Sequence, residues 1–206
     1  MQRPIVRVAV IDSGVHASHP HVGGVAGGVG ITADGSEHDD YVDRLGHGTA
    51  VIAVIHEKAP AAEIFVIKVF DRELAATGVA LVAACRRALR ERADIVNLSL
   101  GTANPEHAAA LSEVIAELND SGALIVAAGE QDGVRWLPGS LDGVCGVTLD
   151  WSLDRSEIQS SGPMSYRASG YPRPIPGVPV DRNLKGLSFA VANVTGVLAA
   201  KRESSS

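Results

Sequence analysis

Cysteine, aromatic residues and basic charge are all scarce in this 206-residue chain, and long apolar runs are missing altogether. Its two cysteines, Cys85 and Cys145, sit in apolar segments, which excludes a disulfide-stapled scaffold and reads as two buried thiols in a reducing compartment. Aromatic residues make up only 4% of the chain, too few for the stacking platform that single-stranded nucleic acid requires. The 18 Lys and Arg are outnumbered by 24 Asp and Glu, for a formal net charge of −6, so no basic face is expected for a phosphate backbone or an anionic membrane surface. Nucleic-acid and membrane partners are therefore not expected. Apolar stretches such as Ala123 to Ala128 fall far short of the roughly 18 residues that span a bilayer. Directly after Pro4 the chain enters a strand-like segment, which leaves no room for the apolar core of a signal peptide, and a cytoplasmic protein is expected. What is present is 46% hydrophobic residues, enough for a single domain over residues 1–206 with its core from about residue 5 to residue 201.

The hydrophobic residues are grouped in a particular way. Short β-branched runs at Val6 to Ile11, Ile64 to Val69, Asp94 to Leu98, Ala123 to Ala128 and Gly143 to Leu149 are apolar without alternation, the pattern of parallel strands covered on both faces. Between them lie helical patterns at Gly46 to His56, Thr77 to Arg92 and Pro105 to Ser121, and a last one runs from Ser188 to about Ala200. Leu81, Cys85, Ala88 and Leu89 form one stripe of the second helix, and Leu111, Ile115 and Leu118 one of the third. Asn104, Pro105 and Gly122 stand where helix-end chemistry favours a cap, a first-turn proline and a C-terminal glycine. Alternating strands and helices predict an α/β fold, a doubly wound and mostly parallel sheet flanked by helices. Five of the ten prolines fall between Pro163 and Pro179, which predicts a long irregular loop before the last helix.

Three segments depart from ordinary core, each placing a polar residue at an element end, where such a sheet presents its crevice. Asp12 closes the apolar run Val8-Ala9-Val10-Ile11, His47 opens a helix within Gly46-His47-Gly48-Thr49, and Ser188 starts one within Gly186-Leu187-Ser188-Phe189-Ala190. Read singly, they are a turn aspartate, a surface histidine and an N-cap serine. Together they supply a carboxylate, a base and a nucleophile in the chain order Asp, His, Ser, one of the known orders of a catalytic triad.

The words around these residues resemble those of the subtilisin-like serine peptidases. Val10-Ile11-Asp12-Ser13-Gly14-Val15 is followed by His19-Pro20, Gly46-His47-Gly48-Thr49 by Val51, and Gly186-Leu187-Ser188-Phe189-Ala190 by Val194 and Gly196. Between them Lys68-Val69, Val96-Asn97-Leu98-Ser99-Leu100-Gly101 and Ala127-Ala128-Gly129 are similar to the family's connecting strands, and the likeness runs in one register from Ile5 to Ala200. The resemblance implies a subtilisin-like fold and serine endopeptidase activity on a peptide or protein substrate. Ser188 would be the nucleophile, His47 the general base and acid, and Asp12 the orienting carboxylate. It also implies that Ser99, Leu100 and Gly101 pair with an extended peptide, and that Ala127, Ala128 and Gly129 wall the pocket for the residue before the cut. No cofactor is implied. Removal of the leader of a peptide precursor is a narrower expectation, and a scaffold that binds peptides without cutting them is the alternative.

One departure bears on chemistry. The family normally places after the Ala127-Ala128-Gly129 segment an asparagine that donates to the oxyanion, and this chain has Glu130. Three accounts are open: Glu130 buried and protonated as a donor, the amide of Gln131 shifted into its place, or an impaired site. Leu187 and Phe189 beside the serine, and Ala192-Asn193 one turn on, replace other residues of the family pattern and bear on packing. His16, His19 and His21 lie near Asp34, Glu37, Asp39, Asp40 and Asp43 in sequence, but no pair has the spacing of a zinc motif, and no metal site is expected. The acidic run from Glu37 to Asp43 reads as a solvated loop, one placed shortly before His47 to favour basic residues in a substrate.

Overall fold

The computed structural model describes residues 5–204. The apolar runs become β1 (Arg7–Asp12), β4 (Glu63–Lys68), β5 (Ile95–Leu98), β6 (Leu124–Ala128) and β9 (Val144–Leu149). Six further strand pieces are β2 (Gly27–Ile31), β3 (Glu37–His38), the hairpin of β7 (Glu130–Gln131) and β8 (Val134–Arg135), β10 (Ile158–Gly162) and β11 (Ser165–Ala168). The helices are α1 (His47–Lys58), α2 (Gly78–Arg90), α3 (Ala108–Asp120) and α4 (Leu187–Ser204). Nine strands form one sheet in the order β10-β11-β9-β6-β5-β1-β4-β2-β3, in which all neighbours from β11 to β2 are parallel and both edge pairs are antiparallel.

Because side chains alternate across a strand, β1 feeds two cores. Val8 and Val10 join the core under α1 and α4, while Ala9 and Ile11 join the one under α2 and α3. In β5, Ile95 faces the first core and Val96 and Leu98 the second. The same parity carries Asp12, Asn97 and Ser99, at or just beyond the strand ends, to the face that α1 and α4 cover. Helix α4 is buried continuously from Phe189 to Gly196, as expected of a helix apolar all round. It lies close on α1: a Cβ on Gly196 would stand 3.0 Å from Lys58 Cβ and 3.3 Å from Ile55 Cα.

The sequence-based bounds of the main strands and helices hold to within a few residues. The stretch from Pro105 to Ser121 divides into a 3-10 turn (Pro105–His107) and α3, with Asn104 accepting from the Glu106 amide and Gly122 at φ +88° past the end. Two readings need correction. The proline-rich stretch from Pro163 to Pro179 is not wholly irregular, since it contains β11, which pairs with β9 and β10. The acidic run is not a free loop: Glu37 belongs to β3 and pairs with Arg87 and Arg90, and Asp43 is buried. Both cysteines are buried free thiols, and burial pushes each up to about 12. No helix among the described residues is long and apolar enough to cross a membrane.

Candidate active site

β1 lies between β5 and β4, and the chain turns to opposite directions along the sheet on either side of it. A crevice opens at such a point, at the carboxyl ends of the strands. Asp12 ends β1 there with no solvent exposure. Its Oδ1 meets His47 Nδ1 at 2.7 Å and accepts the Ser13 amide at 2.7 Å, while its Oδ2 is buried and accepts no hydrogen bond among the described residues. A buried carboxylate is costly unless it is well partnered, and this one is held beside an imidazole.

His47 is presented by the first turn of α1, and two groups outside the helix fix that turn. Asp43 Oδ1 accepts from the Ser13 hydroxyl and from the amides of Leu45 and Gly46, each at 2.9 Å. Its Oδ2 accepts from the Thr49 amide at 2.9 Å and from the Thr49 hydroxyl at 2.6 Å. Ser13 Oγ in turn accepts the Gly48 amide at 2.9 Å. The amides at a helix start lack intrahelical partners, so these oxygens take the place of a cap at Gly46, whose φ of +78° a glycine adopts without strain. Gly48 is required for another reason: a Cβ there would lie 2.3 Å from the Gly14 carbonyl oxygen, so the helix packs directly on the turn that follows Asp12.

Electrostatics follow from this placement. Burial of the His47 ring disfavours its charged form, but the hydrogen bond and charge of Asp12, joined by the charge of Asp43, outweigh burial and raise the His47 pKa above its ordinary value. Burial likewise works against ionisation of Asp43, and the hydrogen bonds from Thr49, Leu45 and Ser13 overcome it, holding that carboxyl below its usual range.

Ser188 arrives on the second residue of α4, and its neighbour Phe189 packs against the His47 ring with centroids 5.6 Å apart. The Ser188 hydroxyl donates to the Ser99 carbonyl at 3.0 Å, and no hydrogen bond joins it to His47 among the described residues. Ser99 Oγ donates back to the Ser188 carbonyl at 3.0 Å and accepts from Asn97, whose Oδ1 accepts from Thr195 at 2.8 Å. This buried chain of polar groups ties the end of β5 to the first three turns of α4.

Phe189 thus sets the start of α4, with Ser188 and its partner Ser99, beside the Asp12–His47 pair. Leu100 and Gly101 continue from Ser99, with Trp136 and Leu137 close against Gly101, and Ala127, Ala128 and Gly129 end the neighbouring strand β6. Glu130 is exposed, opens the β7–β8 hairpin opposite Arg135, and has no hydrogen bond to Ser188 or His47 among the described residues. The burial that a protonated donor called for is therefore absent. Gln131 is committed elsewhere, its Oε1 accepting the Leu149 amide at 2.9 Å and its Nε2 donating to Asp132. Reading the sequence missed Asp43, Ser13 and the Asn97–Thr195 pair; an aspartate shortly ahead of a helix start was the available signal for the first.

The sequence profile of the subtilase family matches residues 5–167. The chain belongs to the subtilase family. It is 30% identical to a thermostable alkaline protease of Halalkalibacterium halodurans over 94% of this chain and 55% of that protein. It is 33% identical to subtilisin E of Bacillus subtilis over 62% of this chain and 35% of that protein. It therefore spans between about a third and about half of the length of these subtilases. Among solved structures, that of the prenylagaramide maturation protease PagA superposes with a TM-score of 0.70 at 25% identity, covering 95% of this chain and 74% of that one. The profile match to the subtilase family ends before Ser188, so the place of this serine rests on α4 and its contacts.

Proposed function

We propose that this chain is a serine endopeptidase that cleaves a peptide or protein substrate with Ser188 as nucleophile, His47 as general base and acid, and Asp12 as orienting carboxylate. The observation that carries the reading is the 2.7 Å contact of Asp12 with His47, at the crevice to which α4 brings Ser188. With Asp12 held on Nδ1, the imidazole is left with Nε2 to take a proton. In the resting arrangement the Ser188 hydroxyl points to the Ser99 carbonyl. A turn about χ1 would bring it to His47, which removes its proton as Oγ attacks the scissile carbonyl and returns that proton to the leaving amine.

Extended substrate would add along Ser99, Leu100 and Gly101, with its side chain before the cut against Ala127, Ala128 and Gly129. The Ser188 amide, in the first turn of α4, lacks an intrahelical partner and faces developing negative charge in the field of the helix end. With Glu130 exposed and Gln131 held by Leu149, it is the principal donor, and turnover is slow: losing one oxyanion donor costs a subtilisin about 10²- to 10³-fold. A narrow task, removal of a leader segment from a peptide precursor, suits such a catalyst, and the likeness to a protein titled a maturation protease supports it. The proposal extends to a single catalytic domain in a cytoplasmic setting, which the two buried free thiols fit.

The test is cleavage of a mixed peptide library by the wild-type chain and by Ser188→Ala. Cuts made by the first and not by the second are expected; equal cleavage by both, or none by either across the pH range, would overturn the reading.

A further inference from the structure

Three of the seven histidines lie together on one wall beside His47, where neither the triad nor the strand-pairing segments use them. His16, His19 and His21 follow β1 and face the loop at 172–184 that leads into α4, and a cavity of about 300 Å³ opens between them. Gly46, the residue before His47, lies on its rim, as does Leu184, four residues before Ser188. Ala50 and Ala53 of α1 line it, whereas none of residues 99–101 or 127–129 does. A peptide whose acyl side lies along Ser99 to Gly101 and passes Ser188 would continue towards this cavity with its leaving side.

The charge of the wall runs against that of the chain. Arg173 lines the cavity with its side chain 32% exposed, its Nη1 donating to the His21 carbonyl at 3.3 Å, and Arg182 and Lys185 are exposed on the same loop. The acids nearby are engaged or turned away. Glu57 lies 3.9 Å from Arg173 but is paired closely with Arg155, the oxygens of Asp43 face the start of α1, and Asp181 is exposed among Arg182 and Lys185. The His21 pKa is lowered by burial and then by the charge of Arg173, with Glu57 acting the other way. The three imidazoles do not converge as ligands: among the described residues no group of three or more His, Cys, Asp or Glu is placed to hold a metal ion. Ile175 and Leu184 add apolar surface at the mouth, suited to the methylenes of a longer side chain.

We propose that this cavity is a specificity subsite for an acidic side chain, glutamate before aspartate, on the leaving side of the scissile bond, with Arg173 as its ion partner. The proposal rests on the peptidase reading for its orientation, and the test separates the two. Binding is measured by fluorescence anisotropy on Ser188→Ala, so that no turnover intervenes. The probes are decapeptide pools randomised in the first half and carrying Glu, Gln or Lys at one position of the second half. Glu pools should bind about three- to fivefold more tightly than Gln pools at low salt, the scale of a partly exposed ion pair, and the gap should shrink at high salt. Adding Arg173→Gln should erase the gap while leaving Gln-pool affinity unchanged, which also serves as the check on folding. Arg173→Lys should keep most of it, and Arg173→Glu should favour the Lys pools. Equal binding of Glu and Gln pools, a gap that survives Arg173→Gln, or no binding of any pool would overturn the proposal. If the wild-type chain cuts nothing while the Glu preference holds, the peptidase reading falls and the subsite stands.

Discussion

Replacing Asp43 by alanine removes five hydrogen bonds at one stroke: those from the Ser13 hydroxyl, the Leu45, Gly46 and Thr49 amides, and the Thr49 hydroxyl. The two hydroxyls can turn to other partners, but the three amides sit at a helix start and cannot. Leaving each without an acceptor costs on the order of 1 kcal/mol, and the charge-assisted character of the lost bonds brings the expected total to about 3–4 kcal/mol. For a chain of this size that lowers the melting temperature by roughly 6–16 °C. Asp43→Asn keeps one carbonyl acceptor and sets an amino group against the Thr49 donors, so it should lie between wild type and alanine. The sign with pH also follows: because the folded state holds the Asp43 carboxyl below its usual range, its contribution is present above the unfolded pKa of about 3.8 and is lost as pH falls through the folded value. Scanning calorimetry of the three chains from pH 8 downwards should therefore show a gap that closes in acid. A second readout is kinetic, since loss of the Asp43 charge should move the acid limb of kcat/KM to lower pH through His47. A fall of less than about 3 °C in Asp43→Ala at neutral pH would refute the capping argument.

Other consequences are quicker to check. The catalytic base must be neutral, and its pKa is raised above 6.5, so kcat/KM should rise with pH through a midpoint above that value; the stability that charged His47 gains from Asp12 is full below about 6.5 and is lost as pH climbs through the same midpoint. Glu130→Asn should raise kcat by about 10- to 100-fold by returning an oxyanion donor, measured with a fixed peptide ester, whereas an unchanged or lower rate would speak against the one-donor description. Gly48→Ala forces a Cβ into the Gly14 carbonyl oxygen and should reduce activity at least tenfold with a stability loss of about 1–3 kcal/mol, followed by peptide cleavage and urea unfolding. Cys85 and Cys145, each pushed up to about 12 by burial, should resist a thiol reagent at pH 8 in the native chain and both react after unfolding.

The central sheet was legible because its strands carry apolar residues on both faces, a pattern a parallel strand under two helix layers requires. The edges were not. β2 reads Gly27-Gly28-Val29-Gly30-Ile31, poor strand material by propensity, yet its glycines are where side chains from elsewhere cross the sheet. A Cβ on Gly30 would meet the His38 ring at 2.0 Å, and one on Gly28 the Tyr41 ring at 2.7 Å, contacts no local pattern encodes. β10 and β11 were hidden by their serines and by the prolines around them. At the site, Asp12, His47 and Ser188 could be read because each stands at an element end in a short distinctive word. Asp43 was lost in a run of acids, where only the fold distinguishes a buried cap from solvated neighbours. The engagement of Gln131 with Leu149 spans two strands and could not be read from sequence.

The claim that matters most is that Ser188 is an activated nucleophile served by His47 and Asp12. Intact-mass and peptide-mapping spectrometry after exposure to a peptidyl diphenyl phosphonate reads it directly, because the adduct forms only on an activated serine. One adduct per chain is expected on Ser188, none on Ser188→Ala, and labelling slowed at least a hundredfold in His47→Ala. No adduct on the wild-type chain, an adduct on another residue, or equal labelling of wild type and His47→Ala would contradict it.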